Sequence, residues 1–190
     1  MPDAIAGRRR VPLPQNEPNL AYLPGSRERA ELKGRLDAMA STPIEIPVII
    51  GGKEIHTGNL GCVVMPHDHG HTLARWHKAS AEHVRQAVDA AIAARREWGS
   101  WPFEDRAAVF LRAAEMLTTT WRQTLNASTM LGQSKTAVQA EIDAASEMID
   151  FWRFNVAFAE ELLAEQPAST HMMWNQMDYR PLEGFVYAVT

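Results

Sequence analysis

The segment SKTAVQAEIDAASEMIDFWRFNVAFAEELLAEQP (Ser134–Pro167) predicts the longest helix of the chain. Its apolar residues recur every three to four positions, which is the spacing of a helix with a buried face, and the proline at its end closes the helix. The last segment, GFVYAVT (Gly184–Thr190), is rich in β-branched and aromatic residues and lacks a polar face, which is typical of a buried strand of a parallel sheet. Together the two segments predict an α/β fold.

Three helices are predicted before the long one, and each has a recognisable start or end. Ser80 caps the first, which extends to about residue 100, and Pro102 begins the second. The third extends from about Thr120 to Leu131, and Gly132 is its predicted C-cap. A shorter helix that begins at Ser26 precedes all of them and has one thin apolar face.

The β structure is predicted between the short helix and the first long one. IEIPVIIGGKEI (Ile44–Ile55) has β-branched residues on both sides of Gly51-Gly52, which is typical of a β-hairpin. Extended segments are also predicted at residues 60–65 and 72–79, with PHDHGH (Pro66–His71) as the turn between them. These segments predict a small antiparallel β unit.

The chain divides into an arm and a body. Residues 1–25 contain five of the eleven prolines and little periodicity, which favours an extended N-terminal arm. Residues 26–190 begin with the short helix and then follow the order β-hairpin, four helices and strands, with strand character returning at MMWNQMDYRP (Met172–Pro181). Because the last predicted strand has no later strand to pair with, we expect the chain to be a fragment of a larger fold.

Composition excludes several classes of protein. There are 19 Lys and Arg against 23 Asp and Glu, so the net charge of −4 does not favour binding to nucleic acid or to an anionic membrane. Cys62 is the single cysteine, which excludes an internal disulfide and a cysteine-based zinc site. The longest uncharged apolar run, Pro47–Gly52, is far shorter than the ~20 residues of a membrane helix. We therefore expect a soluble, cytoplasmic protein.

Three motifs have a chemical interpretation that is weaker than the structural one. His67, His69 and His71 would face one metal ion only from an extended strand, and we expect a hydrogen-bonded turn there. GQSKT (Gly132–Thr136) lacks the upstream glycine and strand of a phosphate-binding loop, so a junction between two helices is expected. Cys62 lies in a predicted strand, where a small buried apolar residue is the expected role. We predict no metal site.

Glu147 is the candidate binding residue. At about 100° per residue, it falls on a helical stripe with alanines and phenylalanines rather than with the charged residues of the same helix. A buried carboxylate must be paired or neutralised. Two interpretations remain open: a carboxylate that awaits a cationic group of a ligand, or an edge residue that reaches solvent or an arginine.

The residues around Glu147 resemble a known family. Thr129–Pro167 and Tyr179–Thr190 are similar to the N-terminal part of the 1-pyrroline-5-carboxylate dehydrogenases, also called L-glutamate γ-semialdehyde dehydrogenases, in the aldehyde dehydrogenase superfamily. The similarity extends upstream through His69–His71 and Gly25–Arg29 to Asn16, so it covers nearly the whole chain. It implies the N-terminal part of the aldehyde dehydrogenase fold, with residues 26–190 in the NAD-binding domain.

The resemblance also implies an activity. Family members oxidise L-glutamate γ-semialdehyde to L-glutamate with NAD in proline degradation, and they assemble as homo-oligomers through a flap strand that corresponds to about residues 171–181. Their catalytic cysteine and glutamate would lie beyond Thr190, so residues 1–190 alone are expected to be inactive. The alternative is that this chain is a non-catalytic helical module with a role in assembly.

Three residues take roles from the resemblance. Glu147 corresponds to the glutamate that faces the α-amino group of the substrate, and Phe151, one turn later, is implied to line the same pocket. Thr190 corresponds to a residue that contacts NAD through its backbone.

Overall fold

The structure is a computed structural model that describes residues 10–189. It contains helices, short strands and two π-helical segments. The strands are β1 (Ile44–Ile46), β2 (Val48–Ile50), β3 (Lys53–Ile55), β4 (Leu60–Met65) and β5 (Asp68–His77). The helices are α1 (Arg27–Ser41), α2 (Ala81–Ser100), α3 (Phe103–Met116), α4 (Arg122–Gln133), α5 (Ala137–Ala140) and α6 (Glu147–Ala164). The first π segment is Leu117–Trp121 and the second is Glu141–Ser146.

The predicted hairpin around Gly51-Gly52 is confirmed. β2 and β3 pair in antiparallel fashion, and both glycines have a positive φ, as a tight hairpin turn requires. β1 is not part of it, because Pro47 separates β1 from β2 and cannot donate a ladder hydrogen bond. β1 instead pairs in parallel with β5, so the prediction of a purely antiparallel unit is wrong.

β4 and β5 form the second antiparallel pair, as predicted. The turn between them is only Pro66-His67, since β5 begins at Asp68 and includes most of the segment predicted as a turn. Gly61 faces Trp76 across this pair. A Cβ at Gly61 would overlap the indole ring of Trp76, so this close cross-strand contact requires glycine.

The helix starts are confirmed. Ser26 accepts a hydrogen bond from the Arg29 N–H, and Ser80 forms a capping box with His83. The C-cap predicted at Gly132 is wrong, because Gly132 lies inside α4 and the left-handed residue is Ser134, with φ 57°.

The long predicted helix is present as α5, the second π segment and α6, which follow one another without a break. In a π segment the hydrogen bonds span one residue more than in an α-helix, so the turn is wider. The faces of the helix on the two sides of such a segment therefore do not follow the straight stripe that an ideal helical wheel predicts.

The core lies among α1, α3, α4 and α6 in two small clusters. Tyr22, Leu32 and Ala127 form one, and Ala114, Leu117 and Ile149 form the other. α2 has no buried residue, so its apolar face with Val84 and Ile92 is exposed. Within residues 10–189, none of the helices combines the length and the apolar character that a membrane crossing requires.

The predicted strands at 171–181 and 184–190 are not formed among the described residues. One isolated bridge joins Thr170 to Met173, the rest of the segment has no sheet partner, and Trp174 is 86% exposed. A strand needs a neighbouring strand to satisfy its backbone groups, and the described strands β1–β5 pair only with one another. The observed helices and small sheets, and their order along the chain, confirm the predicted α/β class.

Candidate functional site

The N-terminal arm lies antiparallel along the long helix. Backbone N–H groups of the arm donate to carboxylates spaced along that helix: Val11 to Glu160 at 3.3 Å, Glu17 to Asp150 at 2.7 Å and Leu20 to Glu141 at 2.7 Å. At about 3.1 Å per extended residue, Val11–Leu20 spans about 28 Å, the same length as Glu141–Glu160 at about 1.5 Å per helical residue. Residues 11–20 of the predicted arm thus form a strap along the second π segment and α6.

A buried ion network joins the arm to the helices. Arg122 lies between Glu17 and Glu141, and the three side chains are 5%, 7% and 1% exposed. Tyr22 Oη and Asn126 Nδ2 donate to Glu141 Oε2 at 2.7 and 2.8 Å. Each oxygen of the Glu141 carboxylate therefore has charged or neutral donors, as a buried charge requires.

The network shifts the pKa values of its members. Burial alone would raise the pKa of Glu141, but hydrogen bonds from Arg122, the Leu20 N–H and Tyr22 outweigh it and hold the pKa below its usual value. Burial and the hydrogen bond to Glu141 raise the pKa of Tyr22 to about 12. Glu141 is therefore ionised and Tyr22 neutral at physiological pH.

Glu147 is the first residue of α6 and is exposed. Its carboxylate has no hydrogen-bond or ion-pair partner among residues 10–189. The second π segment interrupts the stripe that an ideal helical wheel gives: Ala140 before it and Ala144 within it are buried, whereas Glu147 and Phe151 after it are exposed. The interpretation of Glu147 as a solvent-reaching residue describes the geometry within this chain.

Glu147 begins an uncovered face of α6. The open face comprises the exposed Glu147, Phe151 and Phe158 together with the half-buried Phe154, at spacings of four, three and four residues. Phe151 is 59% exposed, and the rings of Phe154 and Phe158 lie 6.0 Å apart. A carboxylate at the end of an apolar wall can bind the cationic group of a ligand whose carbon chain lies on the wall.

The three histidines of the HDHGH motif do not converge. His67 Nδ1 lies 2.8 Å from Ser134 Oγ, His71 Nε2 lies 2.7 Å from the Ala40 carbonyl oxygen, and His69 is exposed. The contact of His67 with Ser134 joins the β4–β5 turn to the left-handed end of α4. Contacts with Ser134 and the Ala40 carbonyl oxygen account for the positions of His67 and His71.

A second cluster, which the sequence analysis missed, joins Glu45, His56 and His77. His77 Nε2 and His56 Nδ1 lie 2.6 and 2.9 Å from the same oxygen of Glu45. The Gly58 N–H donates to His77 Nδ1 at 3.1 Å, so Nε2 carries the proton of the neutral ring and donates to Glu45. The three groups have the ligand types and spacing that could hold a metal ion, and their hydrogen bonds form a clip between the two sheets. The hydrogen bonds from His77 and then His56 lower the pKa of Glu45.

The remaining motifs have structural surroundings. Lys135 forms an ion pair with Asp143 at 2.5 Å, and Thr136 forms a capping box with Gln139 at the start of α5, which confirms the junction between two helices. Cys62 is exposed on β4, so its predicted burial is wrong. Thr190 lies outside the described residues.

Comparison with known proteins identifies the family. The sequence model of the aldehyde dehydrogenase family matches residues 57–190. The chain belongs to the aldehyde dehydrogenase family. A probable δ-1-pyrroline-5-carboxylate dehydrogenase of Schizosaccharomyces pombe is 48% identical over 183 residues, which are 95% of this chain and 33% of that protein. The mitochondrial δ-1-pyrroline-5-carboxylate dehydrogenase of Dictyostelium discoideum is 47% identical over 184 residues, or 96% of this chain and 33% of that protein.

Solved structures of this aldehyde dehydrogenase branch have the same fold. The δ-pyrroline-5-carboxylate dehydrogenase of Mycobacterium tuberculosis, bound with NAD and cobalamin, matches with a TM-score of 0.92 and 48% identity over 96% of this chain and 34% of that chain. The 1-pyrroline-5-carboxylate dehydrogenase from Thermus with bound NAD matches with a TM-score of 0.75 and 25% identity over 85% of this chain and 31% of that chain.

These matches confirm the resemblance to the N-terminal part of the 1-pyrroline-5-carboxylate dehydrogenases. The chain spans about a third of the length of the relatives it matches. The Dictyostelium discoideum relative is named as mitochondrial, so a cytoplasmic location for this chain stays a prediction.

Proposed function

We propose that this chain forms the N-terminal third of an NAD-dependent dehydrogenase that oxidises L-glutamate γ-semialdehyde to L-glutamate in proline degradation. The observation that carries the proposal is the 48% identity, along 95% of the chain, to a probable pyrroline-5-carboxylate dehydrogenase. The matching Mycobacterium tuberculosis structure is bound with NAD, which supports NAD as the cofactor.

Glu147 is the proposed recognition residue for the substrate. Its exposed carboxylate can accept charge-assisted hydrogen bonds from the α-ammonium group of glutamate γ-semialdehyde, which are worth about 1.5–3 kcal/mol. Phe151 lies one turn later on the open face and offers apolar surface to the carbon chain of the substrate. The free carboxylate and its apolar neighbours support this assignment.

The catalytic groups of the proposed enzyme belong outside this chain. A nucleophilic cysteine needs an adjacent base or another activating group, and no described histidine or carboxylate hydrogen-bonds to the exposed Cys62. Residues 1–190 alone are therefore expected to show no aldehyde oxidation. The backbone of Thr190 is the proposed NAD contact, by correspondence with the family.

Residues 26–190 are assigned to the NAD-binding domain, with about 171–181 as the strand through which the complete protein assembles into a homo-oligomer. The exposed apolar side chains of this segment, among them Met172 and Trp174, support an assembly role because nothing within residues 10–189 covers them. The same exposure would fit the alternative, a non-catalytic module that packs on another subunit.

The test is NADH formation by the product of the complete reading frame that contains residues 1–190. With L-glutamate γ-semialdehyde we expect turnover by that product and none by a polypeptide limited to residues 1–190. Absence of turnover in both would contradict the proposed enzyme and favour the non-catalytic module.

A further inference from the structure

The two π segments meet across the buried ion pair. Arg122 is the first residue after the first π segment, and Glu141 is the first residue of the second. The Arg122 guanidinium donates to the Glu141 carboxylate through both Nε and Nη2, and Nη2 also lies 3.5 Å from Ser146 Oγ. One guanidinium therefore contacts both ends of the second π segment.

One side of the second π segment is buried. Ala144, Ala145 and Ser146 are buried, so the segment cannot shift without displacing its neighbours. π segments are rare and frequently occur at functional sites. Here the segment ends at Ser146, and the next residue is Glu147.

The position of the Glu147 carboxylate depends on this segment. No side chain among residues 10–189 binds that carboxylate, so only the backbone from which it projects determines where it lies. That backbone leaves the π segment whose first residue, Glu141, is held by Arg122, Tyr22 and Asn126.

We propose that Glu141 is a positioning residue: through the second π segment it sets the location of the Glu147 carboxylate, and thereby the preference for an aldehyde that carries an ammonium group. This inference rests on the proposed function. Glu141 contacts no substrate, and it acts only through Glu147.

The experiment is a double-mutant cycle in the product of the complete reading frame. The measured quantity is the ratio of kcat/KM for L-glutamate γ-semialdehyde to kcat/KM for propionaldehyde, which lacks the ammonium group. Glu147→Gln should lower this ratio about ten- to a hundredfold, and Glu141→Gln about three- to tenfold through misplacement of the carboxylate. In the Glu147→Gln background, Glu141→Gln should lower the ratio no further.

Glu17→Gln is the matched control. Glu17 is a second buried carboxylate on the same guanidinium, but it lies on the arm rather than on the π segment. Glu17→Gln should lower the melting temperature and leave the ratio unchanged. If Glu141→Gln does not fold, Tyr22→Phe removes one hydrogen bond from Glu141 and should lower the ratio in the same direction.

The outcomes separate the two proposals. An unchanged ratio in Glu147→Gln would contradict the proposed recognition residue and the positioning role with it. A reduced ratio in Glu147→Gln with an unchanged ratio in a folded Glu141→Gln would overturn the positioning role alone. The positioning role would also be overturned if Glu141→Gln and Glu17→Gln lowered the kcat/KM ratio equally and additively. The effect on the ratio would then come from a general loss of stability.

Discussion

Replacement of Arg122 by methionine tests the buried ion network, because methionine keeps much of the side-chain length and removes the charge. Arg122 neutralises Glu17 and Glu141, and without it Glu17 still has Arg153 at 2.8 Å. Glu141 would keep only neutral donors. Leaving a buried charge without its partner costs about 3–5 kcal/mol of unfolding free energy, which for a chain of 190 residues lowers Tm by about 6–20 °C.

The assay is thermal and urea unfolding followed by far-UV circular dichroism. Arg85→Met is the matched control, since Arg85 forms an exposed pair with Glu82 at 2.7 Å, and loss of an exposed pair costs less than about 1 kcal/mol. If Arg122→Met and Arg85→Met lowered the unfolding free energy by the same small amount, the buried network would not stabilise the fold.

The pH dependence of stability should change in the same variant. In the folded protein the pKa of Glu141 lies below its usual value. The stabilisation that the ionised carboxylate provides is therefore present above the pKa of the unfolded chain, and it is lost as pH falls through the pKa of the folded protein. In Arg122→Met, burial would raise that pKa. Acidification should then narrow the stability difference between the wild type and Arg122→Met, and a difference that stays constant from pH 7 to 4 would contradict the account.

Three further predictions concern other residues. Gly61→Ala places a Cβ against Trp76 and should lower the unfolding free energy by about 1–3 kcal/mol in urea unfolding; no loss would refute the close contact. Tyr22, with a pKa of about 12, should give an ionisation step near that pH in an absorbance titration, and Tyr22→Phe should remove that step. Cys62→Ala should change the unfolding free energy by less than about 0.5 kcal/mol and leave NADH formation by the complete product intact; lost turnover would give Cys62 a role.

Local features were predictable from the sequence because they depend on neighbouring residues. Ser26 and Ser80 cap their helices through residues three positions later, and the hairpin requires the backbone freedom of Gly51-Gly52. The family resemblance was likewise visible because it rests on continuous segments of sequence. These features needed no knowledge of tertiary contacts.

Distant contacts could not be predicted in this way. Glu17 and Arg122 are 105 residues apart, and nothing in either local sequence indicates their pairing. The clip of Glu45, His56 and His77 likewise joins separate strands. The helical wheel could not choose between the two interpretations of Glu147 because it assumed an uninterrupted α-helix, and the C-terminal strands lack partners in the described chain.

The most direct test of the account is the substrate selectivity of Glu147→Gln in the product of the complete reading frame, with folding checked by its melting temperature. The account predicts that kcat/KM for L-glutamate γ-semialdehyde falls about ten- to a hundredfold while kcat/KM for propionaldehyde changes little. Equal losses for the two aldehydes in a folded variant would show that Glu147 does not recognise the ammonium group, and would contradict the account.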